Sequence, residues 1–324
     1  MRRRLLGMLL AGLAAVAAGA AETNELWFGA PWPPGSKART DLAAAVREIA
    51  RQSSGRVQVK IAEQEGLAAP GRTCAGALLA GPHLARLSPS ARIRMLPLLV
   101  RSAAEAEVLQ ARLGPAIAAE LAAAGLETLG QPDFGFAYLQ ARMPLEPEAG
   151  LAGRRLWVPP AAADELAAAA AWGLAPVPLA PADVRAALHA GTLDAVVVPP
   201  LGAILMQWHA ELEWVLDVPL VPLGSAVVLR REVWERLEPA DRETAGAVLA
   251  RGFATIAADL RGKEAESLDV LARNGLVRQS LADPAARAAW EAWGAGVADR
   301  LAGTGYVSGD SLAAARAALA GLRR

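Results

Sequence analysis

Residues 26–61 set the first limit on the fold, because they read strand, helix, strand with no room for a hairpin. Residues 26–30 are a short apolar run, halted by Pro31-Trp32-Pro33-Pro34-Gly35-Ser36. Across residues 37–53, Leu42, Val46 and Ile49 recur at helical spacing, and Gly55 suits the stop. Val57, Val59 and Ile61 then alternate with Gln58 and Lys60, the pattern of a strand with one wet face. Strands joined through a helix pair in parallel, so the chain opens with a βαβ unit and is of α/β class.

The pattern restarts further on. Residues 66–100 are less regular and close at Pro97-Leu98-Leu99. Ser102-Ala103-Ala104-Glu105 is a capping box that opens a helix predicted to run to residue 124, ended by Gly125. Strands are predicted at 126–130 and 135–141. A second alternating series follows: strand 153–158 stopped by Pro159-Pro160, helix 161–172, strand 177–179, helix 181–189 with proline in its first turn, and strand 194–198. Residues 239–274 read as one long helix, and two more helices finish the chain. A chain of 324 residues exceeds what one core usually organises. The expectation is a two-lobe periplasmic-binding-protein architecture of type II kind, with a long inter-domain helix. One lobe is assigned residues 22–142 plus 223–260, the other 143–222 plus 261–324. Ligands of such sheets sit beyond the carboxyl ends of the strands, which singles out Trp32, Ala137, Trp157 and Val198.

Charge narrows the function. Lysines plus arginines equal aspartates plus glutamates at 33 each, so the basic excess that phosphate binding needs is missing. Arg2, Arg3 and Arg4 precede an uncharged apolar stretch, residues 5–17, and Ala18-Gly19-Ala20 supplies small residues. Residues 1–21 are therefore expected to be a secretory signal peptide cleaved near Ala20 or Ala21, placing the mature protein in the periplasm. No cysteine follows that stretch, which excludes a lipid anchor on cysteine, and no later segment is long and apolar enough to cross a bilayer. The single Cys74 has no internal disulfide partner and reads as a small buried side chain.

The sequence carries none of the common catalytic patterns. His83, His189 and His209 stand at no metal-ligand spacing, and neither a nucleophile elbow nor a phosphate-binding loop is present. His189 reads as a helix-end residue beside the dipole. Glu232, Glu235, Glu238 and Asp241 read as a solvated helix face. A non-enzymatic protein without cofactor is expected.

A set of short segments carries a family likeness. Pro33-Pro34-Gly35-Ser36 and Ser54-Gly55-Arg56-Val57-Gln58-Val59 occupy the first lobe. Leu151-Ala152-Gly153-Arg154-Arg155-Leu156, Trp172-Gly173-Leu174-Ala175-Pro176-Val177-Pro178-Leu179, and Asp183-Val184 with Ala187-Leu188-His189-Ala190-Gly191-Thr192-Leu193-Asp194 follow in the second. In order and spacing the chain resembles the DctP-type solute receptors of tripartite ATP-independent periplasmic (TRAP) transporters. The resemblance implies a receptor that closes over a small organic acid and delivers it to a membrane permease driven by an ion gradient. It also implies an arginine directly after the Leu-x-Gly-x-Lys-Ile segment, paired with the ligand carboxylate. A branch of the family lacks that arginine and works with a tetratricopeptide-repeat partner.

This chain departs from that pattern. Trp157 stands where the arginine is expected, and the second arginine position and the polar position before a proline fall on Ala137 and Val198. A carboxylate leaving water needs charge-assisted partners, worth about 1.5–3 kcal/mol each. An indole offers a broad apolar face and one N–H donor. The expected cargo is therefore apolar or aromatic, with room for one polar end such as an acid group. Of nine tryptophans, Trp27, Trp234, Trp290 and Trp293 are expected to be structural, whereas Trp32, Trp157 and Trp208 are candidates for the cleft. Phe136, Tyr138, Phe134 and Gln207 come next. Arg155 alternates onto the same side of its strand as Trp157, so it and Arg142 keep acid binding open. Two other readings stay open: a receptor for a C4-dicarboxylate-like acid using another arginine, and a sensor that reports its ligand to a signalling partner.

Overall fold

The computed structural model describes residues 24–63, 66–69, 72–147, 150–160 and 163–323, so the expected signal peptide lies outside the described residues. The opening unit forms as its pattern predicts: β1 (Asn24–Ala30), α1 (Lys37–Gln52) and β2 (Val57–Glu63), with β1 and β2 parallel. Ser36 caps α1 by accepting from the Arg39 N–H, and Leu42, Val46 and Ile49 are buried along one face. A small ribbon of β3 (Ala68–Ala69) and β4 (Arg72–Thr73) precedes β5 (Gly76–Ala80), which adds to the other side of β1. Next come α2 (Gly81–Leu87), a 3-10 turn at Pro89–Met95, α3 (Ala103–Ala123) with Ser102 as its cap, β6 (Leu126–Gly130) and β7 (Asp133–Ala141).

The second series is β8 (Arg155–Val158), α4 (Ala163–Ala170), β9 (Ala175–Pro178), α5 (Pro181–His189), β10 (Ala195–Val198) and α6 (Pro200–Leu205). A 3-10 turn at Trp208–Glu211, β11 (Trp214–Leu216), β12 (Val221–Arg230) and α7 (Arg231–Arg236) lead into α8 (Pro239–Gly262) and α9 (Glu264–Arg273). The chain ends with β13 (Val277–Gln279), α10 (Pro284–Gly303) and α11 (Gly309–Ala320).

Among the described residues the strands join into one sheet of eleven, ordered β2-β1-β5-β12-β7-β10-β8-β9, with β6 on β12 and with β11 and β13 beyond β7. The long strands β7 and β12 carry the sheet from one lobe to the other. The end of β12 pairs with β5 and β6, its start pairs with β7, and the end of β7 pairs with β10 and β11. Three apolar clusters follow this division. One holds Leu26, Phe28, Leu42, Val227 and Phe253 in the first lobe. Another holds Val184, Leu188, Val196, Trp208 and Leu271 in the second. The largest spans the middle and takes in α3, β7 and the C-terminal helices.

Two sequence expectations are corrected. The single helix over 239–274 is broken at Lys263, which sits between α8 and α9. There Glu264 turns back to β7, accepting the Phe136 N–H and the Tyr138 hydroxyl at 2.8 Å each. Asp241 is not on a solvated face: it is 3% exposed and receives two bonds from the Arg56 guanidinium, at 2.7 and 2.9 Å. Glu232, Glu235 and Glu238 of that group are exposed.

Trp290 and Trp293 are buried in α10, edge to face at 5.4 Å, and the Trp293 indole donates to the Trp172 carbonyl at 3.3 Å. At the far end Arg323 donates to Glu105 at 2.7 and 2.9 Å and to the Leu99 carbonyl at 2.6 Å. The last two helices thereby tie α4's end in the second lobe to the start of α3 in the first. In the first-lobe core Phe253 is fully buried, 5.5 Å from the Phe28 ring and 5.9 Å from Trp32. Phe253→Ala is expected to lower the unfolding free energy by about 3–5 kcal/mol, read from the urea midpoint at unchanged slope.

Candidate functional site

A cavity of about 310 Å³ opens between the lobes, within the range of pockets that enclose small ligands. Four sources build its wall, one of them the C-terminal region through Leu301 of α10 and Tyr306 just after it. The first lobe contributes Ala80, Pro82, Leu84, Arg94 and Met95 from β5, α2 and the 3-10 turn. The second contributes Leu156 to Pro159, Ala168, Trp172, Val197 and Val198. The crossing strands contribute Ala137 from β7 and Val221 to Gly224 from β12. The wall is apolar nearly throughout because the ends of buried strands meet there, and such strands are Val- and Leu-rich.

Of the nine residues singled out for ligand contact, three reach this cavity: Trp157, Ala137 and Val198. They are the three positions where family-type polar groups were missing. Trp157 is half-buried, and its indole N–H is committed to the Leu179 carbonyl at 2.9 Å. Trp208 meets it edge to face at 5.0 Å. Trp157 therefore offers the cavity a face, not a donor.

The other six lie elsewhere, each for a visible reason. Trp32 packs into the first-lobe core against Phe134 at 5.7 Å and Phe253. Trp208 is buried behind Trp157 as its support. Phe136 and Tyr138 flank Ala137 on β7, and alternation turns them away from it. Their N–H and hydroxyl go to Glu264, and burial, reinforced by that carboxylate, pushes the Tyr138 phenol up. Gln207 is exposed, with left-handed backbone at φ 57°, and accepts from Arg185 at 2.6 Å.

Arg155 is held by Asp194, donating from Nε at 2.9 Å and Nη2 at 2.6 Å. It is thereby drawn off the cavity. Arg142 lies against the Gly191 turn and is likewise absent from the wall. Of the histidines, His189 ends α5 and meets Glu211 at 3.0 Å, and His209 meets the Ala203 carbonyl at 3.3 Å.

Sequence reasoning passed over Arg94. It belongs to the stretch read as irregular, yet it is 5% exposed and is the cavity wall's charged side chain. The signal was present: a lone charge inside the apolar run from Ile93 to Val100. Burial draws its guanidinium down to about 10, against an opposing pull from the Asp133 carboxylate, so it stays cationic at neutral pH.

The Arg155–Asp194 pair fixes the start of β8 beside the start of β10. Burial pushes the Asp194 carboxyl up, but hydrogen bonds from the Arg155 side chain and N–H outweigh it and hold the group below its ordinary 3.8. A carboxyl lowered by folding contributes stability above its unfolded value and loses it as pH falls through the folded one. Asp194→Asn is expected to flatten the fall in melting temperature of the protein below about pH 4 relative to the unaltered chain, read by thermal unfolding at stepped pH.

Comparison with known proteins agrees with this architecture. No curated protein matches the chain in sequence. Among solved structures, DctP7 of Bordetella pertussis, an extracytoplasmic solute receptor binding pyroglutamic acid, superposes with a TM-score of 0.77 at 20% identity, covering 91% of this chain and 99% of that one. A TRAP periplasmic solute-binding protein from Polaromonas sp. JS666, bound to D-erythronate, gives 0.75 at 20% identity with the same coverage. One from Sulfitobacter sp. NAS-14.1, with bound β-D-galacturonate, gives 0.74 at 13% identity, again covering 91% and 99%. At these identities the likeness speaks for the fold, which is that of two-lobe TRAP solute receptors. The sequence profile of the DctP family matches residues 28–298, most of the chain. The protein therefore belongs to the bacterial extracellular solute-binding proteins of family 7, the DctP family, whose members are receptors and not enzymes.

Proposed function

We propose that this protein is a periplasmic receptor that holds a small organic ligand of largely apolar body in the inter-lobe cavity and delivers it to a TRAP-type membrane permease. The observation that carries the reading is the pairing of Trp157 with Ala137 and Val198 in one apolar wall. The similar receptors bind pyroglutamic acid, D-erythronate and β-D-galacturonate, small acids rich in polar atoms. A wall without side-chain donors at these three positions would leave such polar atoms unpaired, at a cost of about 1–3 kcal/mol each. An apolar body meets no such cost. Micromolar affinity needs about 8 kcal/mol, and burying apolar surface at about 25 cal/mol per Å² supplies a large part of it.

Export rests on the N-terminal residues 1–21 and on the family, and permease delivery rests on the family. Neither the cavity nor the family description gives a reason to add a tetratricopeptide-repeat partner. Among the described residues no helix is long and apolar enough to cross a membrane. Closure would turn on the crossing strands β7 and β12, the segments shared by both lobes.

Two measurements test the reading. Native mass spectrometry of protein purified without refolding should weigh a carried-over ligand of apolar character. In calorimetric titration, aromatic or branched carboxylic acids should bind and succinate should not; tight succinate binding with no response to the apolar acids would overturn the reading. Trp157→Ala should weaken the bound ligand by about 2 kcal/mol, roughly 30-fold.

A further inference from the structure

Helix α10 ends in a turn that delivers a side chain to the cavity. Gly305 takes left-handed backbone at φ 76°, and its N–H donates to the Ala302 carbonyl at 3.1 Å. The Tyr306 N–H donates back to the Leu301 carbonyl, also at 3.1 Å. This pair of bonds is a Schellman motif, which sets the residue after the glycine beside the one five positions earlier. Leu301 and Tyr306 both line the cavity; Leu301 is buried and Tyr306 is half-buried. Before the turn, α10 is bonded to the second lobe, with Arg300 Nε donating to the Ala171 carbonyl at 2.9 Å. After it, α11 packs on α3 and the 3-10 turn of the first lobe. Tyr306 thus stands where the chain crosses between the lobes once more, after β7 and β12.

The Tyr306 ring is held from one side. Arg92, in the 3-10 turn Pro89–Met95, places its guanidinium over the ring, 4.9 Å from the centroid. Its Nη1 donates to the Tyr306 carbonyl and its Nε to the Ala85 carbonyl, at 3.2 Å each. Three aromatic residues line the cavity. Trp172 is 8% exposed and lies edge to face with Trp293 at 6.0 Å. Trp157 and Tyr306 keep open surface, and each is backed by a protein partner: Trp208 behind Trp157, Arg92 over Tyr306. Aromatic surfaces fixed before a ligand arrives spare it the ordering cost of binding.

Resting on the inter-lobe receptor reading above, we propose that Tyr306 is a ligand-contacting, specificity-determining residue positioned by Arg92, and that the cargo carries an aromatic ring. Apolar area alone would favour a saturated ring, which buries slightly more surface than the planar ring of the same size. A ring-on-ring contact reverses that order, because aromatic pairs gain roughly 2- to 10-fold in affinity beyond area burial. The C-terminal segment thereby takes part in choosing the ligand.

The test is calorimetric titration with 3-phenylpropanoate, its saturated counterpart 3-cyclohexylpropanoate, and succinate. The unaltered protein should bind the phenyl compound roughly 2- to 10-fold tighter than the cyclohexyl one. Tyr306→Leu should bring that ratio to one or below while cyclohexyl binding stays within about twofold. Arg92→Gln, with the ring still present, should shrink the ratio; an undiminished ratio there removes Arg92 from the proposal. The chain has two tyrosines, and Tyr138 is buried with its hydroxyl on Glu264. With tyrosine ring carbons labelled, the NMR signal that Tyr306→Phe removes should shift on adding 3-phenylpropanoate. That measurement carries the test if Tyr306→Leu fails to fold, and an unmoved signal overturns the contact. Equal weakening of both ring compounds in Tyr306→Leu makes Tyr306 structural and overturns its role in specificity. Equal binding of both to the unaltered protein overturns the aromatic class and leaves the receptor for apolar cargo standing. Binding of succinate alone overturns both readings, and silence from all three probes overturns the aromatic class.

Discussion

Ala137 and Val221 face each other across the antiparallel ladder between β7 and β12, with Phe136 opposite Pro222 and Asp133 opposite Gly224. This short stretch of pairing joins the two halves of the sheet, and most of the architecture depends on it. Each half has a core of its own, built on its own helices. Without the crossing strands the halves would share little beyond the helices at the chain's end. The ladder also runs along the cavity, so Ala137, Val221 and Gly224 are at once backbone partners of the joint and part of the wall.

The chemistry of the wall follows from where each polar group finds its partner. Trp157 spends its one donor on Leu179, Arg155 spends its guanidinium on Asp194, and Tyr138 spends its hydroxyl on Glu264. These groups are satisfied within the protein, which lets an apolar surface persist between the lobes without stranded donors. Arg94 is the exception, with one nitrogen committed and another left over. A buried cation in this state is weak evidence for stability.

The elements were legible wherever periodicity was clean. The opening βαβ unit, the helix capped by Ser102 and the strands around Trp157 and Val198 are set by local pattern and by proline or glycine stops, and the structure has them within a few residues. Strand β12 was not legible, because Pro222 and Gly224 interrupt its apolar run. The structure tolerates both since they fall where the register shifts against β7. The helix break at Lys263 had one local signal, Gly262, but Gly246 and Gly252 lie inside the same helix and make glycine ambiguous there, and the β7 partners of Glu264 are far away in the sequence. The site was half legible for the same reason. Alignment of short segments pointed to Trp157, Ala137 and Val198, whereas Arg94 and Gly224 meet only through the fold.

Glu264 binds a backbone N–H and a phenol on the same strand, two residues apart, through its two carboxylate oxygens. A bidentate grip of this kind resists twisting as well as pulling. Helix α9 is thereby geared to β7, and through α6 it bears on the second lobe, while α8 on the other side of Lys263 rests on α1 in the first. Both helices meet β7, α8 by packing and α9 by the hydrogen bonds of Glu264, with Lys263 between them. A crossing strand gripped from both sides of that joint has no slack of its own, so its position and that of the two helices are one variable.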